Sequence, residues 1–197
     1  MKNFIILFFF TFSIYSQSLP PIQSYTPQEY NSANQNWMIS ESSNNEILFA
    51  NSETLLLFNG TSWSNYNSPN GSVIRSVKNI DDKIYIGAHS DFGYFQKSNN
   101  GTFQYTSLVS ELDLNIEEDE EFWNIISLDN WIIFQSISRL IFIDKNNNDV
   151  KYLKFKGIIN NSFSIDKQIY IALNNGLFKL VNGQPELIIG SNQIPST

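Results

Sequence analysis

The chain has 197 residues, with 12 Lys and Arg against 19 Asp and Glu, and a formal charge of −7. Affinity for nucleic acid rests on neutralising phosphates, so an acidic chain with no Lys/Arg cluster is a poor candidate for binding DNA or RNA. The absence of cysteine excludes disulfides and thiolate metal sites, while an aromatic content of 15% in this length suffices for a sizeable core.

The first residues carry Lys2, an apolar run from Phe4 to Phe12, and a short polar end. This predicts a secretory signal peptide over residues 1–16. An apolar run of about nine residues is too short to span a bilayer, which takes ~20. The mature chain is therefore expected in the periplasm or cell envelope, with no span left after cleavage. Residues 17–34, with Pro20, Pro21 and Pro27, are expected to form an extended lead-in.

Residues 35–197 repeat. An apolar or aromatic triplet recurs as Ile47-Leu48-Phe49, Ile84-Tyr85-Ile86, Trp131-Ile132-Ile133 and Ile169-Tyr170-Ile171, at steps of 37, 47 and 38 residues. A second strand core follows each triplet, at Leu57-Phe58, Tyr94-Phe95, Ile141-Phe142 and Leu177-Phe178. A period near 40 with four strands per repeat is the pattern of β-propeller blades. The predicted fold is all-β: a partial β-propeller of four blades, each of four antiparallel strands, at about 37–66, 73–106, 122–155 and 158–189.

Turn chemistry agrees with the period. The first two strands of each blade are joined by Asn44-Asn45, Asp81-Asp82, Asp129-Asn130 and Asp166-Lys167, and Asn and Asp tolerate the positive φ of tight hairpins. An insertion at 107–121 lengthens the second step and ends in Glu117-Glu118-Asp119-Glu120-Glu121. No strand pattern follows Gln193 to return and close the ring. An unclosed arc leaves an apolar blade face bare, which monomers rarely tolerate. The sequence reads as an incomplete ring at the front of a longer protein.

Candidate site residues are few. His89 is the only histidine and reads as a loop or surface residue, without partners for a metal site or a triad. The Glu117–Glu121 run lacks the interleaved Gly or Asn of a Ca²⁺ loop and reads as a solvated acidic loop. Trp37, Trp63, Trp123 and Trp131 are either packing between blades or platforms for a sugar ring, with Trp63 the one expected to be exposed. Arg75 and Arg139 either meet an anionic ligand or pair with a nearby carboxylate. Sequons begin at Asn59, Asn70, Asn100 and Asn160. No catalytic residue, metal ligand or cofactor is assigned, and the ligand-binding residues stay unknown.

Several segments resemble the N-terminal sensor propellers of bacterial two-component-type regulators. In the first blade the resemblance rests on Trp37-Met38-Ile39, Ile47-Leu48-Phe49-Ala50-Asn51 and Leu57-Phe58-Asn59-Gly60-Thr61-Ser62-Trp63. In the second it rests on Val73-Ile74-Arg75-Ser76-Val77, Ile84-Tyr85-Ile86-Gly87 and Asp91-Phe92-Gly93-Tyr94-Phe95. Tyr105-Thr106-Ser107-Leu108, Glu118-Asp119-Glu120-Glu121-Phe122-Trp123-Asn124-Ile125, Phe134-Gln135-Ser136 and Arg139 are similar to one branch of that family. Its members carry a three-tyrosine β-sandwich, one membrane helix and a LuxR-type helix-turn-helix. The resemblance implies an outward-facing, non-catalytic sensor segment of a regulator anchored in the inner membrane. Its implied partners are a small-molecule or glycan ligand, the downstream domains and a second copy in a homodimer. The other readings are a stand-alone envelope propeller that binds protein and a propeller lyase or glycosidase, which would need an acid/base pair aimed into the channel.

Overall fold

A computed structural model describes residues 20–193; the expected signal peptide lies outside them. A helical turn, α1 (Pro27–Tyr30), precedes sixteen strands in four sheets, each strand paired antiparallel with the next in sequence. The first sheet is β1 (Asn36–Glu41), β2 (Ile47–Asn51), β3 (Thr54–Phe58) and β4 (Trp63–Asn67). The second is β5 (Ile74–Ile80), β6 (Lys83–Ala88), β7 (Phe92–Lys97) and β8 (Phe103–Ser107), followed by α2 (Leu108–Glu111). The third is β9 (Asn124–Leu128), β10 (Trp131–Gln135), β11 (Arg139–Asp144) and β12 (Val150–Lys154). The fourth is β13 (Ile159–Ile165), β14 (Gln168–Leu173), β15 (Gly176–Val181) and β16 (Gln184–Leu187). This is the partial four-bladed propeller that the period predicts.

The turns form where the sequence places residues that tolerate positive φ. The hairpins after the first strands turn on Asn45, Asp81, Asp129 and Asp166, with φ between 47° and 60°. Those before the fourth strands turn on Gly60, Gly101, Asn148 and Asn182-Gly183, also at positive φ.

First strands converge: β1 packs against β5, β5 against β9, and β9 against β13. They line a common axis, and the sheets fan outward from it. Facing sheets bury three apolar clusters. Leu48, Leu55, Ile74 and Ile86 lie between the first and second sheets, and Phe92, Phe122, Phe134 and Ile141 between the second and third. Ile133, Leu140, Ile159 and Ile171 lie between the third and fourth. The outer faces of the end sheets keep Ile39 and Ile165 more than half exposed.

The lead-in is not extended throughout. Residues 25–35 fold back on the first sheet through α1, and Tyr25 and Tyr30 pack on Trp63 at 5.2 and 5.3 Å between ring centroids. Asn51, fully buried, ties this segment down: its Nδ2 donates to the Ala33 carbonyl and to Asn36 Oδ1, and its Oδ1 accepts from Ser32 Oγ. Trp63, expected to be the exposed tryptophan, is instead half-buried against Phe49 and Phe58. Its outer strand would leave it bare, but the lead-in covers it.

Gly87 on β6 is required by a close approach. A Cβ there would sit 2.5 Å from the Phe122 carbonyl oxygen and collide with Ser76 Oγ, which itself donates to that carbonyl at 2.9 Å. Gly87→Ala should destabilise by about 1–3 kcal/mol, the usual cost of overpacking, and chemical denaturation measures it. An unchanged midpoint would show that the chain before β9 does not lean on β6.

Candidate functional site

At the end of the axis where the first strands begin, three sheets carry a bulge. Pairing slips between Asn36 and Met38, between Ile74 and Ser76, and between Ile159 and Asn161. The extra residues are Trp37, Arg75 and Asn160, and a bulge re-aims the side chain it adds. The third sheet pairs regularly from Asn124, and Trp123, the residue before it, reaches the same place.

These residues make one cluster. The Arg75 guanidinium carbon lies 4.0 Å from the Trp37 ring centroid and 4.5 Å from that of Trp123. The two indoles meet edge to face, 5.8 Å apart at 84°. Arg75 Nε and Nη2 donate to Glu121 Oε1 at 3.0 and 2.6 Å. Its Nη1 is buried without a partner among the described residues. Trp37 Nε1 donates to Ser52 Oγ at 3.0 Å, which fixes the ring while 42% of the residue stays exposed. His89 Nε2 lies 3.4 Å from Asp119 Oδ1 at the edge of the cluster.

The acidic run divides: Glu117, Glu118 and Asp119 are exposed, as expected of a solvated loop, whereas Glu120 is buried and Glu121 is half-buried. Glu117 meets Lys154 at 2.7 Å, Asp119 faces His89, Glu121 holds Arg75, and Glu120 is buried against Arg139. Arg139 Nε donates to Glu120 Oε1 at 2.8 Å, and its Nη2 reaches the other carboxylate oxygen and the Asn115 carbonyl. Burial alone would push the Glu120 carboxyl up, but hydrogen bonds from Arg139 and the Glu117 N–H outweigh it and hold the carboxyl below its ordinary value. The hydrogen bond to Glu120 in turn raises the Arg139 pKa. Local sequence could not assign these partners, because neighbouring carboxylates face four different side chains far apart in the chain.

For both arginines the pairing reading is the one that holds. Arg75 is paired with Glu121 and clamped between indoles, so the cluster presents part of Trp37 rather than a free cation. Trp131 lies away from the axis, between the third and fourth sheets, with Lys151 Nζ 4.6 Å from its ring centroid. Asp91, the other buried carboxyl among the described residues, is pushed up by burial against hydrogen bonds from Ser107 and Tyr105. No group of three or more His, Asp or Glu side chains is arranged to hold a metal ion among the described residues.

No family model matches the chain, and no curated protein does. Among solved structures it is similar to the extracellular domain of BT4673 from B. thetaiotaomicron, a candidate one-component system, at 16% identity and a TM-score of 0.61. That likeness covers 78% of this chain and 21% of the other. PorZ, a surface component of the type-IX secretion system of Porphyromonas gingivalis, is similar at 14% identity and a TM-score of 0.53, with 78% and 21% covered. The WD40 domain of Neurospora crassa Pan2 matches at 14% identity and a TM-score of 0.55, covering 77% of this chain and 48% of that one. At these identities the shared property is the propeller fold. The chain spans about a fifth of the length of the two bacterial structures.

Glu120→Gln should cost about 3–5 kcal/mol at neutral pH, because it leaves Arg139 buried without a counter-ion. A carboxyl whose folded pKa is lowered stabilises above its ordinary value of 4.5, and that stability is lost as pH falls through the folded value. Denaturant unfolding should therefore show the gap between wild type and variant narrowing as pH drops below about 4.5. A gap independent of pH would rule out a stabilising ion pair.

Proposed function

We propose that the chain is the extracytoplasmic sensing propeller of a membrane-anchored transcriptional regulator, binding its ligand at the axial end through Trp37. The observation that carries this reading is the clamp itself. A bulge places a tryptophan at the axial end, an arginine and a second tryptophan brace it, and 42% of the residue remains exposed. The indole face suits the apolar face of a neutral sugar ring or a similar nutrient, since the Arg75 charge is already met by Glu121. The signal-peptide pattern, the resemblance to sensor propellers, and the likeness to an extracellular domain of a candidate one-component system support the same direction. The proposal assigns the anchor and the DNA-binding output to other parts of the parent protein; among the described residues no helix is long and apolar enough to cross a membrane. The role proposed for this segment is recognition without catalysis.

A second reading, an envelope propeller that binds another protein, is favoured by the exposed apolar side chains on the end sheets, Ile39 at 65% and Ile165 at 53%.

The test is a titration of the purified protein with a panel of neutral oligosaccharides, followed by calorimetry and tryptophan fluorescence. At least one member should bind, and Trp37→Ala should weaken it about tenfold or more, the scale of losing an aromatic stacking contact, without changing the circular dichroism. Binding that ignores Trp37→Ala, or no binding across the panel, would count against the axial site.

A further inference from the structure

Blades that converge on an axis leave a wedge between their outer strands, and this chain fills its three wedges differently. Between the first and second sheets, Tyr66 packs on Phe103 and Phe95 at 5.1 and 6.1 Å, leaving a polar cleft of about 260 Å³. Between the second and third, α2 and the insertion supply Leu108, Val109, Leu112 and Leu114, and only about 110 Å³ remains. Between the third and fourth no such filler is present among the described residues. A cleft of about 390 Å³ stays open there, lined by Trp131, Ile133 and Phe142 on one side and Ile169 and Leu180 on the other. It opens beside the β9–β10 and β15–β16 turns, at the end of the blades away from Trp37 and Arg75.

A single cation stands in this apolar lining. Lys151 lies over the Trp131 ring and, like most lysines here, has no carboxylate partner among the described residues, so its charge is free to meet a ligand at the cleft. The volume falls within the range of small-molecule pockets, which are mostly apolar with a few placed polar groups. We infer that this cleft is a second binding site, for a small amphiphilic anion whose aromatic or aliphatic body enters between the blades and whose acidic group meets Lys151. The site is independent of the axial cluster, so its failure would leave the sensing proposal untouched.

The probe is 1-anilinonaphthalene-8-sulfonate, an aryl body with one sulfonate, titrated into the whole chain by fluorescence. One saturable site is expected. Lys151→Met, an exposed substitution that keeps the apolar stem, should weaken it about tenfold, the equivalent of one charge-assisted hydrogen bond. Leu180→Trp, which fills the cleft, should abolish it. Ile39→Ser and Ile165→Ser, on the outer faces of the end sheets, should leave it unchanged. The inference is overturned if Lys151→Met binds as wild type, or if either isoleucine variant removes the signal.

Discussion

A four-stranded sheet with apolar side chains on both faces must be covered on both, and in this chain other sheets do most of the covering. When the first strands of such sheets share an axis, the sheets stand close at the axis and part toward their outer strands. Close packing near the axis comes without further device: Ile74, Ile86, Ile133 and Ile171 are fully buried there. The widening outer space is the harder problem, because a void forfeits both the hydrophobic and the dispersion contribution of its walls. Much of what distinguishes one blade from another in this chain answers that problem, with aromatic rings in one wedge, the insertion in the next and an open cleft in the third.

The insertion has two roles that pull on the same residues. Its first half provides apolar side chains to the second wedge. Its second half runs back toward the axis, where Ser90 N–H donates to the Glu120 carbonyl and Phe122 N–H to that of Ala88. That short run presents Glu120 to one side and Glu121 to the other. Glu120 satisfies Arg139 in the interior of the third blade, and Glu121 positions Arg75 between two indoles. A segment that looks like surface charge is thus the link between packing and the axial cluster.

The axial cluster is rigid for reasons visible in its bonding. Arg75 stacks on both rings and is held by Glu121 through two of its nitrogens, while Trp37 is fixed by Ser52. A ligand meeting an indole held in this way loses little affinity to ordering the site. With Arg75 already paired to Glu121, the cluster holds no free cation of its own.

Most of the fold was legible in the sequence because its determinants are local. Alternating apolar residues, paired with Asn, Asp and Gly at hairpin positions, mark strands and turns within a few residues of one another, and the repeat multiplies the signal four times. The third blade shows the limit: a first strand predicted from residue 122 begins at Asn124, because Phe122 and Trp123 are drawn to the neighbouring blade and the axis. What only the tertiary structure decided depends on partners far along the chain. Arg75 and Glu121 are 46 residues apart, and Arg139 and Glu120 are 19 apart. Trp63 is covered by Tyr25, and the bulges that aim Trp37 and Arg75 follow from register between strands. Five neighbouring carboxylates look alike in sequence; in the folded chain Glu118 stays exposed while the other four face different partners.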